Sequence, residues 1–133
     1  MRLVKNSKKY WEFIRHLRND NDIKSGFIEQ NYIEKEEHFR FMKEHGHNYY
    51  ICLDEAKPVG FVGAICGDIR IAVDKNYHSK GIGKFMLKEF LESAGDIKVY
   101  AKVKIENLAS LNLFKGVGFI EKYYIMELAL NEK

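Results

Sequence analysis

The residues Ile69 to Gly83, IRIAVDKNYHSKGIG, gather the means to bind phosphate at one point of the chain. An apolar, strand-like run ends in a charged turn. A basic, glycine-spaced loop follows, His78-Ser79-Lys80-Gly81-Ile82-Gly83-Lys84, and leads into a helix. The first turn of a helix leaves backbone N–H groups unpaired, and the helix dipole adds partial positive charge at the same end. Glycines let a phosphate come close without meeting a Cβ. Ser79 can donate a hydroxyl hydrogen bond, and Lys80, Lys84 and His78 can add charge. This is a pyrophosphate site in outline. A glycine-rich helix start with ordinary surface lysines is the plainer alternative. The ATP-type loop, GxxxxGK followed by Ser or Thr, is absent. A dinucleotide fingerprint fits poorly too, because the third glycine is missing and the preceding strands look antiparallel.

The loop needs a strand before it and a helix after it. Gly81 to Ala94 is the clearest helix, with Ile82, Phe85, Met86 and Phe90 on one side and Gly95 to end it. Ile97, Val99, Ala101, Val103 and Ile105 then alternate with Lys98, Tyr100, Lys102 and Lys104, which predicts a strand with one charged side. With 69–73 and the helix, this makes a β–α–β unit with a parallel crossover. Upstream, 49–53, 59–66 and 69–73 read as an antiparallel meander joined by short turns. Arg2 to Val4 reads as a short strand. Ser7 can cap a helix running to about Arg18, with Tyr10, Phe13, Ile14 and Leu17 on its buried face. Asn19 to Asp22 is a polar break, 23–33 reads as a helix end or an ordered loop, and Glu34 to His45 as a second helix with Phe39 and Met42 inward. Asn107 opens a further helix to about Gly116, and Phe119 to Leu130 is strand-like, as one bent strand or two.

A chain of 133 residues, 46% hydrophobic, fits one domain over 1–133 with a real core. Its net charge of +3 suits an anionic ligand and is too weak to argue for nucleic acid. Cys52 and Cys66 sit in apolar runs and read as buried, reduced thiols, and no His/Cys cluster has zinc spacing. The start lacks the apolar core of a signal peptide, and no stretch approaches the roughly 20 apolar residues of a membrane span. The expected compartment is the cytoplasm, with no membrane partner.

The block VDKNYHSKGIGKFML, with ENLASLNLFKGVGF downstream, resembles the Gcn5-related N-acetyltransferase (GNAT) superfamily. That family's loop carries Arg or Gln, two variable residues, Gly, one more residue, then Gly or Ala; here the steps hold His78, Gly81 and Gly83. Its downstream pattern matches Asn107, Ser110, Phe114 and Gly118-Phe119. The resemblance covers essentially the whole domain. It implies an α/β (α+β) fold with a mixed, mostly antiparallel sheet of about six to seven strands flanked by about four helices. It also implies acetyl-CoA as co-substrate. The backbone of Ile71, Ala72 and Val73 would hold the pantetheine arm, residues His78 to Lys84 the pyrophosphate, and Asn107 and Ser110 would lie along the donor.

The resemblance further implies transfer to a primary amine, which must lose a proton before it attacks. Asp68 is the first candidate base and Glu106 the second. A strand-edge partner of Arg70 and a helix-start acid are their plainer readings. Many family members carry a tyrosine where this chain has Phe114, which has no hydroxyl to protonate the leaving thiolate; Tyr100, Tyr123 and Tyr124 are candidate substitutes. Segment 17–23 resembles a branch that includes enzymes acetylating nucleotide-linked amino sugars and others acetylating the N-termini of ribosomal proteins, and segment 36–39 is similar to the nucleotide-amino-sugar members in particular. Arg18 and His38 would then contact a substrate phosphate or sugar. Protein N-terminal acetylation of the ribosomal-protein type is the rival activity, other small amines remain open, and a CoA-binding module without turnover is the non-enzyme alternative. Dimerisation, common in such small domains, could complete the acceptor site.

Overall fold

The computed structural model describes residues 1–130; the last three residues of the expected domain, 131–133, lie outside them. Strands β1 (Arg2–Lys5), β2 (Tyr49–Asp54), β3 (Lys57–Ile65) and β4 (Asp68–Val73) form one antiparallel sheet in that spatial order. Register runs from Arg2 opposite Leu53 to Ile65 opposite Asp68, with an irregularity at Cys52/Leu53. The pleat sends successive side chains to opposite faces. On one face Tyr49, Ile51, Leu53, Phe61 and Ala72 bury against α1 (Trp11–Asn19) and α3 (Lys35–His45) through Ile14, Leu17 and Met42. On the other, Val59, Val62 and Ile69 bury against α4 (Ile82–Ala94) through Ile82, Met86, Leu87 and Phe90. A short α2 (Asn21–Lys24) follows α1, and α5 (Leu108–Gly116) closes the set of helices. The sheet is thus covered on both sides, the arrangement that buries all its apolar positions.

The expected sheet of six to seven strands with four helices is overturned. The described residues form a four-stranded antiparallel sheet, and there are five α-helices. The alternating segment 97–105 touches β4 at one parallel rung, Asp68 opposite Tyr100, and forms no further ladder. The segment 119–130 has no strand partner among the described residues, and Tyr124 and Met126 are 85% and 91% exposed. Alternation names the face a strand would bury. It does not supply an edge in register, and without one no ladder forms. The fifth helix comes from the expected polar break: the Asp20 carboxylate accepts from the Asp22 N–H and caps α2.

Smaller differences have similar causes. The chain enters α1 through a 3-10 turn, Lys8–Tyr10, and the Ser7 side chain makes no cap hydrogen bond. Phe39 stays exposed, its edge packed on Trp11, while His38 turns inward. Cys52 is buried, but Cys66 is exposed on the β3–β4 turn. Gly95 ends α4 at φ +70°, a conformation open to glycine.

Gly63 sets how closely β2 and β3 approach. A Cβ there would lie 2.5 Å from the Asn48 carbonyl oxygen and 3.0 Å from the Tyr49 Cα, both backbone atoms. Gly63→Ala should therefore destabilise the fold by about 2–3 kcal/mol, read as a lower urea midpoint at unchanged slope.

Candidate functional site

β4 is the last strand of the sheet, and its outer edge is mostly open. The Ile69 N–H donates to the Tyr100 carbonyl and the Tyr100 N–H to the Gly67 carbonyl, each at 2.9 Å. Residue 69 thus points its backbone outward. By alternation Ile71 and Val73 do the same, while Arg70 and Ala72 turn theirs toward β3. Beyond the single rung, the outer edge has no ladder partner among the described residues. Of the three residues expected to hold a pantetheine arm, Ile71 presents open backbone, Val73 presents its N–H while its carbonyl is taken by His78, and Ala72 faces β3.

The edge runs straight into the basic loop. His78 Nε2 donates to the Val73 carbonyl at 2.8 Å, which ties the loop back to the strand. Ser79 and Gly81 both have positive φ, +62° and +76°. Gly81 is the N-cap of α4 and has no side chain to cap it, so the helix's first N–H groups remain for a ligand. Nothing lies within 4 Å of a Cβ placed on Gly81, whereas one on Gly83 would meet Leu113 of α5 at 3.3 Å. Gly81 therefore leaves open space and Gly83 permits helix packing. The Ile82 side chain is buried, so that residue offers its backbone. His78, Ser79, Lys80 and Lys84 are exposed around the helix start. Open amides, a left-handed turn and lysines together suit a pyrophosphate.

The downstream residues are largely committed elsewhere. Asn107 caps α5, its Oδ1 accepting from the Ser110 N–H at 3.1 Å, and its Nδ2 donates to the Gly26 carbonyl at 3.3 Å. Glu106 pairs with Lys104 at 3.4 Å. Its carboxyl is held below the usual range by a hydrogen bond from its own backbone and by Lys104, which makes it a weak proton acceptor. Asp68 is buried and shared by Arg70 at 3.4 Å and Lys102 at 3.7 Å. Phe114 is a core residue, edge-on to Phe119 at 5.0 Å. Tyr123 and Tyr124 are exposed in the 119–130 segment, while Tyr100 makes the rung with Asp68.

On the opposite side of β4 lies a cavity of about 260 Å³. It brings together Arg18 from α1 and His38 from α3, the two residues expected to contact an acceptor, and adds Arg70 from β4. Tyr32, Ile33, Phe41 and Met42 form its apolar wall, and Glu29 and Glu37 are its carboxylates. The irregular segment between α2 and α3 is pinned in place to form this wall. Arg15 donates to the Tyr32 hydroxyl and the Ile33 carbonyl at 3.1 and 3.2 Å, and Asn19 exchanges two hydrogen bonds with the Ile33 backbone at 2.8 and 3.0 Å.

Arg18 lies over the Phe27 ring at 5.5 Å, and its Nε is buried without a hydrogen-bond partner. Burial pushes its guanidinium below the ordinary value and the charge of Arg70 adds to that, while the neighbouring Tyr49 hydroxyl and Glu29 act in the opposite direction. The Tyr49 hydroxyl is likewise buried and unpartnered, and burial pushes it up. His38, 3% exposed, hydrogen-bonds the Trp11 carbonyl through Nε2 at 2.8 Å. A carbonyl can only accept, so Nε2 carries the proton and Nδ1 is the acceptor nitrogen of the neutral ring.

Arg70 and Tyr49 have no place among the expected site residues. Arg70 could have been found: it breaks the apolar run of β4 on the face shared with Ala72, which points at α1. Tyr49 carries no such signal, because an aromatic at a strand start reads as core.

An open strand edge leading to a glycine-bounded helix start, with a polar cavity across the same strand, suits a phosphate-bearing donor on one side and a small polar acceptor on the other. The chain belongs to the acetyltransferase (GNAT) family, whose model matches residues 11–119. It is 43% identical over 49 residues to the N-alpha-acetyltransferase RimI of Mycobacterium tuberculosis, a match covering 37% of this chain and 31% of that protein. Its fold is similar to the ribosomal-protein-alanine N-acetyltransferase of Brucella melitensis, with TM-score 0.81 and 18% identity over 92% of this chain and 86% of that one. It is also similar to the spermidine N-acetyltransferase of Vibrio cholerae solved with CoA and spermine, with TM-score 0.80 and 21% identity over 98% and 87%. The chain spans less than half the length of the curated relatives it matches. No helix among the described residues is long and apolar enough to cross a membrane.

Burial pushes the His38 imidazole below its ordinary value of 6.5, against the raising effects of the Trp11 carbonyl and Glu12 and with the lowering effects of Arg15 and Arg18. The fold therefore favours the neutral ring. Its contribution is fully present above about pH 6.5 and is lost as pH falls, because the unfolded chain then binds the proton more readily. Between about pH 7.5 and about pH 5.5, the melting temperature of the parent protein should fall more steeply than that of His38→Gln, whose amide can still donate to Trp11.

Proposed function

We propose that this protein transfers an acetyl group from acetyl-CoA to a primary amine, and that the amine is the N-terminal α-amine of a protein. The observation that carries the reading is the dual use of β4. Its open edge leads to the phosphate-binding helix start, and its Arg70 side chain reaches the cavity on the other face. The donor supplies an activated thioester. Ile71 and Val73 would align its pantetheine arm through their outward backbone groups, and the first turn of α4, with Ser79, Lys80 and Lys84, would hold its pyrophosphate. Backbone N–H groups on that edge suit the negative charge that develops on the acyl oxygen.

The cavity orients the acceptor, and holding the two reactants in line supplies much of the acceleration. The neutral Nδ1 of His38 is a base available inside it. Asp68 is better suited to holding Arg70 at the cavity wall than to taking a proton, since Arg70 and Lys102 already share it. With Phe114 in the core, the thiolate leaves without a phenol at that step. The RimI and ribosomal-protein names among the relatives favour a peptide N-terminus over the nucleotide-linked amino sugar.

Release of free thiol from acetyl-CoA should depend on a peptide with a free N-terminus and stop when that terminus is blocked. Tight CoA binding with no release for any amine would instead identify a module without turnover. Lys80→Glu and Lys84→Glu, both at exposed positions, should leave the melting temperature unchanged. Each should weaken CoA about tenfold in a calorimetric titration, the loss expected for one charge-assisted phosphate contact turned repulsive. Unchanged affinity in the double variant would remove the pyrophosphate assignment.

A further inference from the structure

We infer that the cavity between α1, α3 and β4 selects an acceptor carrying an anionic group, a carboxylate or a phosphate, close to the amine that is acetylated. The inference rests on the acetyl-transfer reading above and adds the chemistry of the acceptor.

The inner end of the cavity is short of negative charge. Arg18 and Arg70 both line it. Asp68 is the carboxylate beside Arg70, and it is divided between Arg70 at 3.4 Å and Lys102 at 3.7 Å. Arg18 has no salt bridge among the described residues; its guanidinium rests over the Phe27 ring. Its Nε is buried with no acceptor, and so is the Tyr49 hydroxyl, whose residue is 1% exposed. Buried donors without acceptors are costly, and native structures keep few of them. The Arg18 guanidinium, with its Nε unmatched, and that of Arg70 on the same cavity form a receptor for an oxyanion, and the buried Tyr49 hydroxyl adjoins Arg18. Guanidinium forks match carboxylate and phosphate geometry.

The other charges of the cavity fit the same acceptor. Glu29 and Glu37 line the same cavity from exposed positions, and Glu29 is near enough to favour the Arg18 charge without a salt bridge to it. Their carboxylates can attract the positive charge of the incoming ammonium. An acceptor with an amine and an anion a few bonds apart satisfies both the glutamates and the arginines. A polyamine has nothing to offer the two arginines. Two sources share the required chemistry: a peptide whose second residue is Asp or Glu, and a phosphorylated amino sugar.

Both sources can be tested with matched pairs. One pair is a peptide beginning Ala-Glu and the same peptide beginning Ala-Gln; the other is an amino-sugar phosphate and the unphosphorylated amino sugar. Spermidine serves as the cation control. Thiol release should favour the anionic member of at least one pair by about tenfold to a hundredfold in kcat/KM, as for a hydrogen bond to a charged group in a partly buried site. The pair that responds names the source. In Arg70→Gln, and separately in Arg18→Lys, the preference should shrink to about threefold or less while CoA affinity is unchanged. Equal kcat/KM within both pairs, or a lead for spermidine, would overturn the inference while acetyl transfer stands. If no acceptor gives thiol release, equilibrium titration of the same pairs onto the CoA-loaded protein reads the preference directly. Tighter binding of the anionic member would then support the anion site even as acetyl transfer fails, and equal affinities would overturn it.

Discussion

The outer edge of β4, open beyond a single rung among the described residues, is the constraint on which the rest depends. An open strand edge is a liability in most proteins because its N–H and C=O groups invite pairing. Here one rung, Asp68 with Tyr100, starts a ladder that goes no further. The backbone of Ile71 and Val73 is left facing outward beside a loop rich in donors. His78 fixes the end of the strand to that loop by taking the Val73 carbonyl. The sequence pattern placed His78 among the phosphate ligands; the structure gives its Nε2 a backbone partner.

β4 also joins the two halves of the site by its pleat. Residues 69, 71 and 73 turn toward α4, and 68, 70 and 72 toward α1 and α3. One strand therefore has an open edge on one side and places Arg70 in the cavity on the other. Polar contacts hold the acceptor segment to the donor side. Lys75 pairs with Asp22 and Asp20, Lys104 donates to the Ser25 carbonyl at 3.0 Å, and Asn107 reaches the Gly26 carbonyl. A segment without regular structure keeps its shape because its backbone groups find side-chain partners instead of a ladder.

Much of the donor side was legible in the residues. The glycine spacing after an apolar run announces a turn and an uncapped helix start, since few other residues tolerate the positive φ at Gly81. The periodicity of 81–94 and the alternation of 49–73 located α4 and the meander to within a residue or two. The resemblance to the GNAT superfamily, carried by His78 to Lys84 and Asn107 to Phe119, reached the family that the match over 11–119 shows. The alternation in 97–105 and the strand-like composition of 119–130 mislead, because a pattern of faces is not a count of strands.

By itself the sequence determined what local rules can decide: where helices start and stop, and which strand faces are apolar. Those follow from backbone geometry and side-chain periodicity within a few residues. The tertiary structure alone decided which strand edges stay open and which distant residues meet. Arg18, His38, Arg70 and Tyr49 come from four elements spread over more than fifty positions, and no spacing rule relates them. Their convergence, with a guanidinium nitrogen and a phenol buried without partners, is a product of packing α1 and α3 onto the sheet.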